Sequence, residues 1–392
     1  MNTIKNKKIA IVGAGPGGLT LARLLQMSGA DVQVYERDIN KDARAKGATL
    51  DLHDESGLKA IRAAGLIEVF KANYRPGADR LRIMDKNANI VFDDHANETI
   101  VMGQHDENFR PEIDRGPLQQ ILLDSLQPDT VNWDSQFVSL TPQNNSWILE
   151  FKNGTSVLSD IVIAADGANS KIRPYITETP AFYSGITAIE GAVYHSETAS
   201  PRVHKLLNGG KIFAIGDEKT LIVSSKGDGS LVFYTGSKTT QNWVVESGID
   251  FSNKAQVLAW FKKEYFSWDN VWLELFENAS SSFVPRPIYC MPLDQTWEAL
   301  PNLTILGDAA HLMPPYAGEG VNMAMLDALE LSICLTSADY NDTLSAIAAY
   351  EKQMRLRASE IAEQSLVSGD ALHSADAISF MLNVLGQNDL NS

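Results

Sequence analysis

The chain opens with a short apolar run, Lys8 to Val12, that breaks into Gly13-Ala14-Gly15-Pro16-Gly17-Gly18. Apolar positions then recur at helical spacing (Leu19, Ala22, Leu25), and Asp31 to Glu36 alternates as a strand does. The pattern predicts a strand–helix–strand unit. Further on, Leu58, Ile61 and Ala64 predict a helix over about 55–72, and Leu81 to Phe92 predicts a hairpin turning at Lys86-Asn87. Residues 93–110 are polar and read as loop, and a second helix is expected over 115–127. Trp147 to Phe151 and Val157 to Ala164 read as strands around an Asn153-Gly154 turn. Between 183 and 290 strand-like runs dominate (Ala188 to Val193, Lys211 to Ile215, Leu221 to Val223, Leu231 to Thr235), with a helix near 254–265. Leu303 to Leu306 is a buried-strand run. After Asp327 the pattern is mostly helical, and Leu344 to Ser368 is expected to bridge two parts of the fold.

At 392 residues, 44% hydrophobic and 21% charged, the chain is long enough for one large or two intermediate domains and can enclose a sizeable ligand. The formal net charge of -16 makes phosphate backbones and anionic membranes poor partners, so neither nucleic acid nor a membrane is expected. No apolar stretch approaches the about 20 residues a membrane span needs, and the basic N-terminus lacks a signal-peptide core. The expectation is a cytoplasmic monomer. The two cysteines, Cys290 and Cys334, have neither metal-ligand spacing nor a neighbouring histidine, so no metal site is expected.

The chemistry begins at Gly13-x-Gly15-x-x-Gly18. The first glycine permits a tight turn, the second lets backbone approach a pyrophosphate, and the third allows helix and strand to touch. Pro16 suits the first helical turn, whose free N–H groups face the phosphates. Glu36, at the end of the second strand, can accept from both hydroxyls of an adenosine ribose. It favours FAD or NAD over NADP. A second motif, Ile161 to Arg173, runs a strand into Asp166-Gly167. A third runs Leu303 to Leu306 into Gly307-Asp308-Ala309-Ala310-His311, Pro314-Pro315 and Gly318-Glu319-Gly320-Val321-Asn322.

With these three motifs in order, the chain resembles the aromatic-hydroxylase class of flavoprotein monooxygenases, the group that includes p-hydroxybenzoate hydroxylase. The resemblance implies an α/β fold: a Rossmann-like FAD-binding domain from 1–75, 108–178 and 288–335, an interleaved β-rich substrate domain from 76–107 and 179–287, and a C-terminal helical segment from 336–392. It implies that Asp308 holds the ribityl chain and that Asp166 lies near the pyrophosphate. Gly318, Gly320, Val321 and Asn322 would open a helix toward the flavin pyrimidine edge, where a helix N-terminus stabilises the reduced anion. Arg115, in Ile113-Asp114-Arg115, would run along the cofactor.

Val34-Tyr35-Glu36-Arg37-Asp38, Gly47-Ala48-Thr49-Leu50-Asp51-Leu52-His53, Phe266-Ser267-Trp268-Asp269 and Gly307 to Pro315 carry a closer resemblance, to the tetracycline-inactivating flavin monooxygenases. By position, Arg37 and Arg44 would lie near the adenine or the nicotinamide donor, Asp51 near the flavin, and Pro315 and Tyr316 along the substrate cavity. Glu190, Lys211, Phe213, Val232 and Tyr234 would face the substrate from the β-rich domain. The family's glutamine, arginine and histidine that grip tetracycline become Glu190, Lys211 and Val232 here, replacing a planar donor by a point charge and deleting an imidazole. A glutamine usual between the last two glycines becomes Glu319, whose carboxylate is expected to turn away from an anionic flavin.

The reading is therefore an FAD enzyme reduced by NADPH or NADH that activates O2 as a flavin C4a-hydroperoxide and hydroxylates an aromatic or polycyclic small molecule, a tetracycline-type compound first, with antibiotic inactivation as the consequence. No second Gly-x-Gly-x-x-Gly follows a later strand, so NAD(P)H would bind transiently. Alternatives are a hydroxylase of another phenolic or polyketide metabolite, a flavoprotein reductase or oxidase, and a flavin-bound protein that sequesters a ligand. A halogenase would carry Trp-x-Trp-x-Ile-Pro, which Trp268 and Trp272 do not form. No side chain is assigned as acid or base. His53 is open to either reading, and His311 is read as structural.

Overall fold

The computed structural model describes residues 3–43, 49–95, 102 and 110–386. Its first sheet is wholly parallel, with strands in the order Leu303–Ile305, Ile161–Ala164, Lys8–Val12, Asp31–Tyr35 and Val131–Asn132. Parallel sheets are covered on both faces, which is why Ile161 to Ala164 is an unbroken, fully buried apolar run. The helices Pro16–Met27 and Gly320–Thr336 pack against each other beside this sheet, with the backbone of Gly17 against Ala324.

Two expected elements divide. Val157 to Ala164 is two strands in two sheets. Ser156–Ser159 pairs antiparallel with Ser146–Phe151, while Ile161–Ala164 joins the parallel sheet. The bend falls at Asp160, whose carboxylate accepts from Lys8 N and Ser146 Oγ, both at 2.8 Å. The helix expected over 55–72 is Gly57–Ala63 and Ile67–Lys71, parted by Gly65 at φ 73°, a left-handed stop that glycine adopts most easily.

The seven-stranded sheet runs Val284–Cys290, Phe182–Val193, Leu231–Lys238, Lys219–Ser225, Lys211–Gly216, Leu81–Asp85 and Ile90–Asp93. Every neighbouring pair is antiparallel except Lys211–Gly216 with Leu81–Asp85, which brings the expected hairpin to the sheet's far end. Asp85 closes the hairpin turn by accepting from Asn87 N (2.9 Å) and Asn89 N (2.8 Å). One face is sealed by an aromatic cluster in which Phe261 and Phe276 stack with centroids 3.8 Å apart beside the fully buried Trp272. On the other face Ile83 and Ile215 pack against Leu372, Ala377 and Met381.

The helix Thr343–Leu372, 30 residues long, joins the two sheets. Near its start Tyr350 Oη donates to Ile305 O at 3.1 Å, and the buried carboxylate of Glu351 accepts from Trp297 Nε1 (2.8 Å) and Thr304 Oγ1 (2.7 Å). Near its end Ser365 bonds Pro314 O, and Asp370 pairs with Lys238 at 2.6 Å. Among the described residues no helix is long and apolar enough to cross a membrane.

Glu351 thus couples the long helix to the parallel sheet at Thr304 and to the half-buried Trp297. Replacing it by alanine leaves both without an acceptor. A loss of about 2 kcal/mol in unfolding free energy is expected, read from urea unfolding followed by tryptophan fluorescence. An unchanged midpoint would show that the contact carries no stability.

Candidate functional site

The glycine-rich turn is built by backbone contact. Gly13 sits at φ 114°, and a Cβ there would lie 2.2 Å from Ala165 O. A Cβ on Gly18 would lie 2.1 Å from Gly13 O, so the helix can start this close to the strand only with glycine at that position. Gly15 differs from both. It is the N-cap of Pro16–Met27 at φ -75°, and a Cβ there meets nothing within 4 Å. The turn is jammed on the protein side and open in front of Gly15, as a pyrophosphate cradle must be. Glu36, 5% exposed, accepts from Ala14 N (2.7 Å) and Asp38 N (3.1 Å), which fixes its carboxylate beside the turn. Arg37 is exposed one residue further on. Arg44 lies outside the described residues.

Two carboxylates border the same opening. Asp166 follows the strand Ile161–Ala164. Its Oδ2 accepts from Lys171 N at 2.8 Å, its Oδ1 is buried without a partner, and burial pushes its carboxyl above the ordinary range. Asp308 is reached by solvent yet enclosed by protein. That enclosure raises its carboxyl, against the opposing charges of His311, Arg115 and Arg173. Arg173 joins the two loops: its Nη2 donates to Asp308 O at 2.8 Å. Arg115, at the start of Arg115–Asp124, is exposed and close enough for its charge to act on Asp308. His311 is buried, with Nε2 2.5 Å from Asp327 Oδ2, and Asp327 Oδ2 also accepts from Gly307 N at 2.9 Å. This histidine holds the turn that presents Asp308.

The second glycine turn closes the site. Pro315, exposed, starts the short turn Pro315–Ala317. Gly318 follows at φ 70°, where an added Cβ would lie 3.5 Å from Asp51 Oδ2, and one on Gly320 would lie 4.0 Å from Asp308 Oδ1. Val321 is half-buried, whereas Asn322 is fully buried and turned inward. Its Oδ1 accepts from His53 N (2.9 Å) and its Nδ2 donates to Asp51 O (3.0 Å). Of Asn322, only the backbone is left to face a ligand. Its side chain clamps the strand Thr49–Asp51 and His53 to the start of Gly320–Thr336. His53, 1% exposed, lies between Asp51 Oδ2 (3.0 Å from Nε2) and Glu319 Oε1 (2.7 Å from Nδ1). Burial alone would depress the imidazole pKa. The hydrogen bonds and charges of Asp51 and Glu319 overturn this and raise it to about 9. A Glu55 oxygen also lies within 4.8 Å of these groups, but both ring nitrogens are already engaged, so the cluster reads as a charge pair and not a metal set.

Strand register puts the residues expected to meet substrate on one face of the seven-stranded sheet. Glu190, Tyr234, Ile222 and Phe213 form one cross-strand row, and Val232, Ser224 and Lys211 the next. Lys211 does not project freely. Its ammonium bonds the buried carboxylate of Glu112, and the charges of Glu112 and Asp51 outweigh burial and keep it protonated. Val232 is buried, while Phe213 and Tyr234 are half-buried. Beyond this row a cavity of about 290 Å³ opens between Gly185, Lys238, Pro314, Tyr316, Ser365 and Gly369. Gly369 has no side chain where Tyr316 packs: a Cβ would lie 2.6 Å from the ring.

Sequence reasoning missed Glu112 and Arg286. Glu112 opens the three-residue strand Glu112–Asp114, Glu-Ile-Asp, which is too short for alternation to mark a buried charge. Arg286 lies opposite Ala188 on the cavity face, and its Nε (2.9 Å) and Nη2 (2.8 Å) both reach Glu190 Oε2. Alternation along Val284–Cys290 would have placed it, but two flanking prolines hid the strand.

The FAD binding domain family matches residues 6–256 and 299–365 of the chain. The sequence is 29% identical to Monooxygenase asqM of Emericella nidulans over 91% of this chain and 93% of that one. It is 26% identical to the FAD-dependent urate hydroxylase of Mycolicibacterium vanbaalenii over 94% and 89%. Among solved structures, Klebsiella pneumoniae HpxO complexed with FAD and uric acid superposes with a TM-score of 0.75 at 20% identity, covering 99% of this chain and 94% of that one. Tetracycline destructase Tet(51) superposes at 0.71 and 18% identity, covering 98% and 99%. These likenesses establish the p-hydroxybenzoate hydroxylase type of fold.

Two outcomes follow from the geometry. Gly15→Ala should leave the urea midpoint unchanged and weaken FAD retention at least tenfold, while Gly18→Ala should cost about 2 kcal/mol of stability through overpacking; equal effects of both on folding would refute the cradle. His53, with its pKa raised from 6.5 to about 9, stabilises the fold fully below pH 6.5, and that contribution is lost as pH rises through about 9. The difference in urea stability between wild type and His53→Gln should therefore shrink across that window. A constant difference would show that the imidazole is uncharged in the fold.

Proposed function

This chain belongs to the FAD binding domain family and is an FAD-dependent monooxygenase; on that premise we propose that it uses NAD(P)H and O2 to hydroxylate an aromatic or polycyclic small molecule, a tetracycline-type compound being the first candidate. The carrying observation is that the cofactor cradle and the face of the seven-stranded sheet meet. Gly320 adjoins Asp308, Gly318 adjoins Asp51, and the charge of Asp51 acts on Lys211 of the sheet.

The residues present fit FAD. The space before Gly15 accepts a pyrophosphate, Glu36 the ribose, and the orphaned oxygen of Asp166 and the enclosed, solvent-reached carboxylate of Asp308 accept hydroxyl donors. Gly13, Gly15, Pro16 and Gly18 would hold the diphosphate, Asp308 the ribityl chain, and the backbone of Gly318 to Asn322 the pyrimidine edge. Arg115 would neutralise charge along the cofactor. Bound FAD supplies the two-electron redox chemistry and the activation of O2, which no side chain here can provide. NAD(P)H binds transiently, with Arg37 exposed beside the adenosine end of the cradle.

The division of labour we propose follows the sheets. Segments 1–75, 108–178 and 288–335 hold the cofactor, 76–107 and 179–287 the substrate, and the long helix braces one against the other. On the substrate face Phe213, Ile222 and Tyr234 offer a flat apolar strip, with Lys211 beyond one end and the Arg286–Glu190 pair at the other. That pattern suits fused rings with ionisable oxygens at their edges. Arg286 restores the planar guanidinium that Lys211 lacks. Tyr316, packed on Gly369, and the long helix exclude water from the reacting ring, and shielding of this kind favours oxygen transfer over wasted turnover.

Purified protein should be yellow, carry FAD and oxidise NADPH faster when given tetracycline or a phenolic polyketide, with a product heavier by one oxygen atom. A colourless protein that cannot be reconstituted removes the cofactor reading. Stimulated oxidation that yields only hydrogen peroxide with every ligand removes hydroxylation and leaves an oxidase or a sequestering protein.

A further inference from the structure

The side chains of the trio Asp51–His53–Glu319, in which His53 is buried and both carboxylates are half-buried, have no part in the binding roles assigned above. Its location is specific. Glu319 stands between Gly318 and Gly320, immediately before the 17-residue helix Gly320–Thr336, so its carboxylate belongs to a turn that would otherwise offer only backbone N–H groups. The N-terminus of that helix lies beside that of Pro16–Met27, since an added Cβ on Gly17 would sit 2.9 Å from Ala324 O. Two helix N-termini therefore open on the space that Asp308 also borders, and both favour negative charge there. A glutamate in the second turn works against this. It places a fixed anion where FAD must become more negative on reduction.

We propose that His53 is a positioning residue for flavin reduction: as an imidazolium bonded to Glu319 it cancels the carboxylate's charge and turns it aside, so that the helix N-terminus still stabilises reduced FAD. The inference rests on the FAD reading above. The contacts needed are present. Glu319 Oε1 is 2.7 Å from His53 Nδ1, His53 is 1% exposed, and its second nitrogen is held by Asp51 at 3.0 Å. Asn322 fixes the backbone of Asp51 and His53 to the same helix start, so ring and turn move as one unit. The charged groups around the ring are Asp51 on its own segment, Glu319 on the glycine turn, Glu55 nearby, and, one step beyond Asp51, Lys211 with Glu112 from the two facing strands. Lys211 is engaged by Glu112 and acts on Asp51, and among the described residues His53 is the cation in contact with Glu319. The raised affinity of the imidazole for its proton is consistent with this pairing.

The test is an anaerobic potentiometric titration of FAD-loaded wild type, H53Q, E319Q and the double variant. Removing the imidazolium should shift the midpoint potential to more negative values. Removing the carboxylate should shift it to more positive values. The double variant should fall between the two single ones. A merely structural pair would weaken FAD retention without moving the potential in opposite directions. Shifts of the same sign, or none, overturn the proposal. If H53Q does not hold FAD, the E319Q titration decides alone, with no positive shift overturning it. Failure of wild type to take up FAD defeats the cofactor reading, whereas FAD uptake with unmoved potentials defeats only the role of His53.

Discussion

Everything near the site depends on how closely backbones approach at the start of two helices. A Cβ at Gly18 would stand 2.1 Å from Gly13 O, and one at Gly17 2.9 Å from Ala324 O. The first contact seats the helix Pro16–Met27 against its own strand. The second seats it against Gly320–Thr336. Because both helices are pinned this way, their N-termini open side by side, and Asp308 and Asp166 fall at the edge of one space. A single methyl group at either glycine would force these backbones apart and separate the two halves of the site, which are almost three hundred residues apart in sequence.

This arrangement explains how a chain with a formal net charge of -16 can hold a diphosphate. Glu36, Asp166, Asp308, Asp51 and Glu319 all border or approach the site, whereas Lys211 is engaged by Glu112. On the proposed FAD reading the anion would instead meet oriented N–H groups, whose field acts over the first helical turn and is little affected by distant surface charge in salt. On the same reading the carboxylates would accept from the cofactor's hydroxyls.

Much of this was legible in the sequence because backbone chemistry leaves local marks. Gly13, Gly15 and Gly18 announce a turn and the apolar run Ile161 to Ala164 a covered strand, whereas Gly65 interrupts the helix expected over 55–72. The family resemblance nominated Glu190, Phe213 and Tyr234, and strand register puts them on one face. What could not be read was which charges meet. Glu112 and Lys211 are 99 positions apart, and His53 and Glu319 are 266 apart; neither pair has a spacing. The split at Asp160 was hidden for a related reason. The residues from Val157 to Ala164 share β propensity, and only the partners on either side, Trp147 to Glu150 and Ile9 to Val12, assign them to different sheets.

The substitutions at the substrate face and at the glycine turn have a common physical logic. Where a residue's charge or shape changes, a neighbour from another strand compensates. Lys211 has only a point charge and is held by Glu112 and Asp51, and a guanidinium reappears at Arg286, anchored through two nitrogens to Glu190. Glu319 introduces a carboxylate into a turn built to face an anion, and His53 lies against it. In each case a buried or half-buried charge is balanced by a partner fixed to a different element, because an unbalanced charge in a poorly solvated site is costly. The fold transfers whole, while Lys211 enters it already paired with Glu112, a partner that no spacing in the sequence marks.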